Sequence, residues 1–523
     1  MKDWDARRVA DAAGATLVRD AAGGPTGVTI DSRAVSPGDL FVGLVGDHAD
    51  GGTFAAAALA AGAWGVLVRS GSSSTWSTVG RLPSTGAPST GRSSTRPAPT
   101  ATRQPPTGAG PAPTGTRPPP TSARPLLTPT GPQAGEPAGY AETGEPADPA
   151  DPAVAEAGGA ILEMDDPLAG LQALARAWRR ELGRTGARVV AITGSTGKTS
   201  TKDILRGLLS PVLATVASPL NHNTEIGLPL AVLAAPAGTQ AVVLELAMRG
   251  PGQIRLLASI CEPEVAVIVN VGPAHLELLG SLEAIAAAKA ELLEGLAAGA
   301  TAVIPAGEPA LDPYLRDDID LVLFGRDGDV SLVRADAAGV EIDLRGERIE
   351  LDPGFRSPHQ LGNLLAAVGA ADALGVRRHG PVDVAFSAGR GEHRLLASGV
   401  VVVDDCYNAN PMSMRAALED LRLTASGRRV AVLGDMLELG PDERRFHSEL
   451  GDQATGAGVD LLVTVGARAV WAGERFSSEH RHVDDAGAAA VLVPGLVRPG
   501  DTVLIKGSRG VGLEAVTRAL AAN

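Results

Sequence analysis

The stretch Arg188–Ile204 constrains this chain most: an apolar run (Val189–Ile192), a short loop carrying Gly194 and Gly197, then Lys198-Thr199-Ser200 opening a helix. A strand that enters a helix through such a loop turns backbone N–H groups and the positive end of the helix dipole onto one point, which is a cradle for phosphate. Gly194, Ser195, Thr196, Gly197, Lys198, Thr199 and Ser200 are therefore the expected ATP-binding loop, with Lys198 reaching the β- and γ-phosphates and the Thr199 hydroxyl placed for Mg²⁺. The loop departs from the strict G-x-x-x-x-G-K-[ST] pattern at Ile192, where glycine is usual.

The rest of the chain extends that α/β start. Between Arg188 and about Leu374 strand-like runs (Val189–Thr193, Ala241–Leu246, Val265–Val271) alternate with helical ones such as Ser281–Leu296 and Gln360–Leu374. This is the rhythm of a mostly parallel sheet covered on both faces. An antiparallel ribbon is expected over Val330–Leu351. A third α/β unit starts near Val400, with strands Val400–Asp404, Val430–Leu433, Leu461–Val465 and Thr502–Ile505. It is Rossmann-like but lacks the glycine-rich dinucleotide loop after its first strand. Ahead of the phosphate loop lies a small α/β unit with strands Gly27–Ile30, Leu40–Val45 and Gly65–Val68 and a helix over Phe54–Ala61. It resumes with a strand at Gly159–Met164 and a helix at Pro167–Leu182. The expected organisation is thus three domains: 1–182, interrupted at about 71–157; 183–396; and 397–523.

The interruption is rich in Pro, Thr, Ser, Gly and Ala, with basic residues first (Arg81–Arg124) and acidic ones last (Glu136–Glu156). It has too little apolar surface to offset its chain entropy and is predicted to be disordered, a solvated insertion of no catalytic role. Composition narrows the function further. A net charge of −14 with no basic stripe argues against nucleic-acid binding. No apolar stretch approaches the ~20 residues of a membrane span, and the first residues carry acids instead of a signal-peptide core. Two distant cysteines, Cys261 and Cys406, suit a reducing cytoplasm.

Ligands of open parallel sheets bind outside the carboxyl ends of the strands. Glu245, Asn270 and His275 stand at such ends, where a carboxylate and an imidazole beside the phosphate loop suit Mg²⁺. Lys289 lies in the alanine-rich helix that follows. In the third unit two strands end in polar runs, Asp404-Asp405-Cys406-Tyr407-Asn408-Ala409-Asn410-Pro411 and Gly434-Asp435-Met436-Leu437-Glu438-Leu439-Gly440.

These runs, with Asp31-Ser32-Arg33, Pro37–Phe41, Thr193–Thr201, Asn223–Pro229, Met248-Arg249-Gly250, Asn270–His275 and Ala288–Leu292, resemble the Mur ligases of peptidoglycan synthesis over nearly the whole chain except the insertion. The resemblance implies a UDP-sugar domain, a central ATPase and a C-terminal domain that closes with the incoming amine. It implies a cytoplasmic, monomeric enzyme that adds D-alanyl-D-alanine to UDP-N-acetylmuramoyl-tripeptide through an acyl phosphate. By the same resemblance Lys198, Glu245, His275 and Lys289 are catalytic, and Thr199, Glu245, His275 and a carbamylated Lys289 hold the metal. Asn363 and Asp405 join the phosphate loop in binding ATP, and Ser32, Arg33, Asn223, Glu225, Asn408 and Asn410 serve the substrates. Where the family has His-Asn-x-x-x-Asn, this chain has His359-Gln360 followed by Asn363; Asp50-Gly51-Gly52 lacks a common histidine, and Cys406 replaces a common serine. A relative acting on another sugar-nucleotide peptide or amine remains an alternative, as does a nucleotide-dependent switch.

Overall fold

The computed structural model describes residues 1–46, 50–73, 158–219 and 221–522. The stretch predicted to be disordered lies, from 74 to 157, outside the described residues. Three sheets organise the chain. The first comprises β1 (Thr16–Arg19), β2 (Gly27–Thr29), β3 (Asp39–Val42), β4 (Gly65–Arg69) and β5 (Ala160–Met164), in the order β1-β5-β4-β3-β2. β4 and β5 pair in parallel, Gly65 opposite Ala160 and Arg69 opposite Met164, so the strands on either side of the insertion lie side by side. The helix Pro167–Arg184 follows β5. Asp166 caps it by accepting from the N–H groups of Leu168 and Ala169, and Pro167 occupies the position where a missing N–H costs nothing.

The second sheet has β6 (Arg188–Thr193), β7 (Thr215–Ala217), β8 (Ala241–Glu245), β9 (Val265–Ile268), β10 (Thr301–Pro305), β11 (Asp320–Phe324), β12 (Val330–Asp336), β13 (Gly339–Leu344), β14 (Glu347–Asp352) and β15 (Gly380–Pro381). Its order is β15-β14-β13-β12-β11-β10-β9-β6-β8-β7, and β12–β14 are the expected antiparallel ribbon. β6, β8 and β9 are buried along almost their whole length, as strands covered on both faces must be. One face packs with the first unit, where Trp178 and Leu174 of Pro167–Arg184 join Val189 and Leu244. The other packs beneath the helices Lys198–Leu209 and Pro358–Ala373, whose Ile204, Leu208, Leu364 and Leu365 meet Val190 and Val267.

The third sheet has β16 (Glu392–Leu395), β17 (Val401–Asp404), β18 (Arg429–Gly434), β19 (Leu461–Val465), β20 (Glu479–Val483) and β21 (Thr502–Lys506), ordered β16-β17-β21-β18-β19-β20. β16 pairs antiparallel with β17, so this sheet takes in residues ahead of the expected start at 397. β9 ends at Ile268, three residues before the expected Val271, which puts Asn270 in the following loop. The parallel centre of each large sheet presents its carboxyl-end loops to one side, and those two edges meet.

Candidate active site

β6 lies between β9 and β8, so the loops after all three strands converge. Ile192, the residue that departs from the strict phosphate-loop pattern, is a fully buried strand position paired with Glu245; the turn begins after it and needs no glycine there. The glycine the turn does need is Gly197, the residue before Lys198–Leu209, with φ +79°. A Cβ there would fall 2.3 Å from Oδ1 of Asn363 on the helix Pro358–Ala373. Asn363, expected among the nucleotide contacts, therefore abuts the loop, and its Nδ2 donates to Oε1 of Gln360 (3.1 Å).

The loop is fastened from β9. Oδ1 of Asn270 accepts from the N–H groups of Ser195 (3.1 Å) and Thr196 (3.0 Å), and its Nδ2 donates to Thr196 O (3.1 Å). Ser195 Oγ donates to Gly272 O (2.8 Å) and accepts from Gly272 N–H (2.9 Å). Sequence reasoning placed Asn270 at the sheet edge beside the phosphate loop without giving it a role; the hydrogen bonds make it the clamp that shapes the loop. Lys198 Nζ curls back to Gly194 O at 2.8 Å.

Glu245 ends β8 with its carboxylate buried between two partners: Thr199 Oγ1 donates to Oε2 (2.7 Å) and Asn223 Nδ2 to Oε1 (3.0 Å). Lys289, on the helix Leu282–Glu294, is only 2% exposed and has no hydrogen-bond or ion-pair partner among the described residues. Burial and the nearby Lys198 ammonium push its pKa well below the ordinary lysine value. Burial also lowers that of Lys198, against the pull of Glu245.

His275 makes its hydrogen bond to the third unit. Its backbone is left-handed (φ 59°), and its Nδ1 lies 2.5 Å from Oε2 of Glu438, which is left-handed as well (φ 62°). The other carboxylate oxygen, Oε1, accepts from Arg249 at 3.2 Å. The His275 hydrogen bond leads, with the Arg249 charge adding, in holding the Glu438 carboxyl below its usual range. Of the four residues expected at the metal, Thr199 and Glu245 are hydrogen-bonded to each other, Lys289 is buried within electrostatic range of Lys198, and His275 pairs with Glu438 of the third unit. Among the described residues no three His, Cys, Asp or Glu side chains stand ready to hold a metal.

Other contacts join the same two edges. Nδ2 of Asn410 donates to Ser195 O (3.2 Å), and Met412 packs so tightly on Gly272 that a Cβ there would lie 1.8 Å from its sulfur. Asn410 also caps the helix Pro411–Thr424 in a reciprocal box with Ser413. Asp405 accepts from Lys506 Nζ (2.6 Å), a buried lysine that also donates to Asn408 O (3.0 Å). Asn408 itself accepts from Ala409 N–H (2.9 Å). The remaining expected substrate residues lie elsewhere. Ser32 and Arg33 occupy the turn Ser32–Ala34 in the first unit, with Arg33 forked onto Asp31; exposed Glu225 receives Gln172 on its backbone oxygen (3.1 Å). Sequence reasoning missed Arg390, whose charge opposes that of Lys198, and the pairing of Glu438 with His275. The Gly434–Gly440 run signalled the second by its density of polar groups; nothing local signalled the first.

Residues 25–79 match the family model described as Mur ligase family, catalytic domain; residues 192–371 match the Mur ligase middle domain, and 389–509 the Mur ligase, glutamate ligase domain. A UDP-N-acetylmuramoyl-tripeptide–D-alanyl-D-alanine ligase of Mycobacterium leprae is 33% identical, over 94% of this chain and 92% of its own. The crystal structure of MurF ligase from Thermotoga maritima in complex with ADP superimposes with a TM-score of 0.68 at 27% identity, covering 95% of this chain and 97% of that one. MurF from Acinetobacter baumannii shares the fold with a TM-score of 0.74, at 24% identity over 99% of both chains. With matches in all three units and a relative aligned almost end to end, the chain belongs to the Mur ligase family.

Proposed function

We propose that this chain is the cytoplasmic ligase that joins D-alanyl-D-alanine to the terminal carboxylate of UDP-N-acetylmuramoyl-tripeptide, coupled to cleavage of ATP to ADP and phosphate. The observation that carries the reading is the meeting of the two sheet edges: Asn410 on Ser195 and Glu438 on His275 bring the third unit's polar runs against the phosphate loop. The relatives named above support the choice of substrates.

A carboxylate is a poor electrophile because its oxygen leaves as oxide. Transfer of the γ-phosphoryl group onto it gives an acyl phosphate. The dipeptide's amine attacks that carbonyl carbon, and phosphate departs from the tetrahedral intermediate. Phosphoryl transfer needs alignment and neutralisation more than covalent help. Lys198 and the loop N–H groups that Asn270 does not take supply positive potential, and Asn270, by accepting from Ser195 and Thr196, holds the loop in shape. An acyl phosphate must be shielded from water, and the contacts from Asn410, Met412 and Glu438 close the third unit over the loop.

Mg²⁺ fits the donors present: the Thr199 hydroxyl and Glu245 carboxylate are the hard oxygen ligands it takes, side by side next to Lys198. When bound, the ion neutralises charge on the transferring phosphoryl group. Lys289 fits carbamylation, since burial and Lys198 lower its pKa and so favour the uncharged amine, the form that can add CO₂, release a proton and become a carboxylate-like group. In the first unit, the Ser32–Ala34 turn is proposed to receive the UDP end of the substrate.

Phosphate release from Mg-ATP with the UDP-tripeptide, with and without D-alanyl-D-alanine, tests the reading. Release that needs both and yields pentapeptide is the expected outcome. Release with some other amine or acceptor only would keep the ligase chemistry and discard these substrates.

A further inference from the structure

Besides phosphates and the tripeptide carboxylate, the proposed reaction brings in one more anion, the C-terminal carboxylate of the dipeptide. It is not consumed, and it must be held for the amine at the other end to reach the acyl carbon. The third unit contains a candidate holder. Tyr407 is flanked by two guanidiniums, with Cζ of Arg390 3.9 Å and Cζ of Arg509 5.2 Å from its ring centroid. Tyr407 follows β17 and Arg509 follows β21; these strands pair in parallel with Asp404 opposite Ile505, so both loops leave the same carboxyl edge. Arg390 reaches the ring from the segment before β16, where Tyr407 N–H donates to Gly389 O (3.3 Å).

The two cations differ in placement. The charge on Arg390 opposes the Lys198 ammonium, which puts it on the phosphate-loop side. Arg509 is the outer one, exposed, and its ion pair is with Glu514 at 3.6 Å from Nη1, leaving most of its five donors uncommitted. Arg390 has no carboxylate partner among the described residues. Two guanidiniums sharing one ring repel each other, and an anion at their edge offsets that repulsion. An extended dipeptide covers about 7 Å at ~3.3–3.6 Å per residue, while the two guanidiniums can be no farther apart than their two ring distances laid end to end. A carboxylate held at Arg509 thus keeps the dipeptide's amine within reach of the Arg390 side.

We infer that Arg509, seated on Tyr407, binds the terminal carboxylate of the incoming dipeptide and so selects an amine with a free carboxylate at that distance. The inference rests on the proposed dipeptide ligation. The test compares D-alanyl-D-alanine with D-alanyl-D-alaninamide, which keeps the amine and lacks the charge, using the full chain with Mg-ATP and UDP-tripeptide. The unmodified protein is expected to show a KM for the amide about 10- to 100-fold higher, the range spanned by hydrogen bonds to a charged group. Arg509→Met should raise the KM for the dipeptide by the same factor and leave the KM values for the amide and ATP within about threefold. Arg509→Lys should recover part of the preference, as a point charge without the fork. Equal losses for both amines in Arg509→Met, or no preference in the unmodified protein, would overturn the inference. Failure of the unmodified protein to ligate either amine would instead sink the proposed reaction. Arg509→Lys, which keeps the charge and the stem, decides if Arg509→Met does not fold: an unchanged preference for the acid over the amide with the fork removed, beside an unchanged KM for the dipeptide, would overturn the assignment to Arg509.

Discussion

Asn270 offers the sharpest test of how the phosphate loop is held. Replacing it with alanine removes the hydrogen bonds from Thr196 N–H and to Thr196 O, while Ser195 N–H keeps the backbone oxygen of residue 270 at 3.2 Å. Two net bonds are lost, each contributing about 0.5–1.5 kcal/mol, so the ordered loop is weakened by about 1–3 kcal/mol. The loop must be ordered to bind nucleotide, and the loss should show as a 5- to 150-fold rise in the Kd for ADP by titration calorimetry. Asn270→Asp separates shape from charge. It keeps the acceptor for both N–H groups but loses the donor and sets an anion near the phosphates, worth about 3 kcal/mol of repulsion at ~6 Å and an effective dielectric of ~20. Aspartate should therefore bind ADP more weakly than alanine. A milder effect for aspartate, or an alanine variant within twofold of the unmodified protein, would refute the clamp.

Three further outcomes follow from the site. Lys198→Ala should cut turnover by at least ~10² with an unchanged circular dichroism spectrum, because stabilisation of transition-state charge contributes several kcal/mol. Lys289 has a depressed folded-state pKa, so between that value and the ordinary 10.5 the unfolded chain binds the extra proton and stability rises with pH; Lys289→Met should raise Tm at pH 7 in CO₂-free buffer, and the gain should shrink towards pH 10. Activity lost in Lys289→Ala should be partly restored by short carboxylic acids, whereas full activity without them would make the lysine a bystander. Glu438→Ala, which removes the partner of both His275 and Arg249, should lower dipeptide-dependent phosphate release about tenfold and leave the Kd for ADP within threefold, and an unchanged release rate would rule out this contact as part of closure.

The phosphate loop was legible because its chemistry is local: Gly197, Lys198 and Thr199 are consecutive, and the turn they need is dictated by one glycine and a helix start. β6, β8 and β9 were legible because burial on both faces writes them as continuous Val, Ile, Leu and Ala, although the equally buried β10 went unread. β16 and β20 went unread for the opposite reason. Glu392-His393-Arg394-Leu395 and Glu479–Val483 are edge strands, held by their neighbours' hydrogen bonds and carrying polar residues that guard an open edge. Glu438 could be singled out as one member of a polar run, but its partner His275 is 163 positions away, and only the docking of two sheets brings them together. Asn270 could be placed at the site but given no role for the same reason: what a strand-end amide fastens shows only when the loop it holds is in view.

Position 410 has a consequence for which replacements the chain can accept. Serine, threonine or aspartate would start the helix Pro411–Thr424 about as well, since each offers an oxygen to Ser413 N–H. An aspartate would have no hydrogen to give Ser195 O, and a hydroxyl is too short to serve both directions at once. A substitution scored as harmless by helix stability would therefore uncouple the third unit from the loop it covers, leaving a protein that melts normally and ligates poorly.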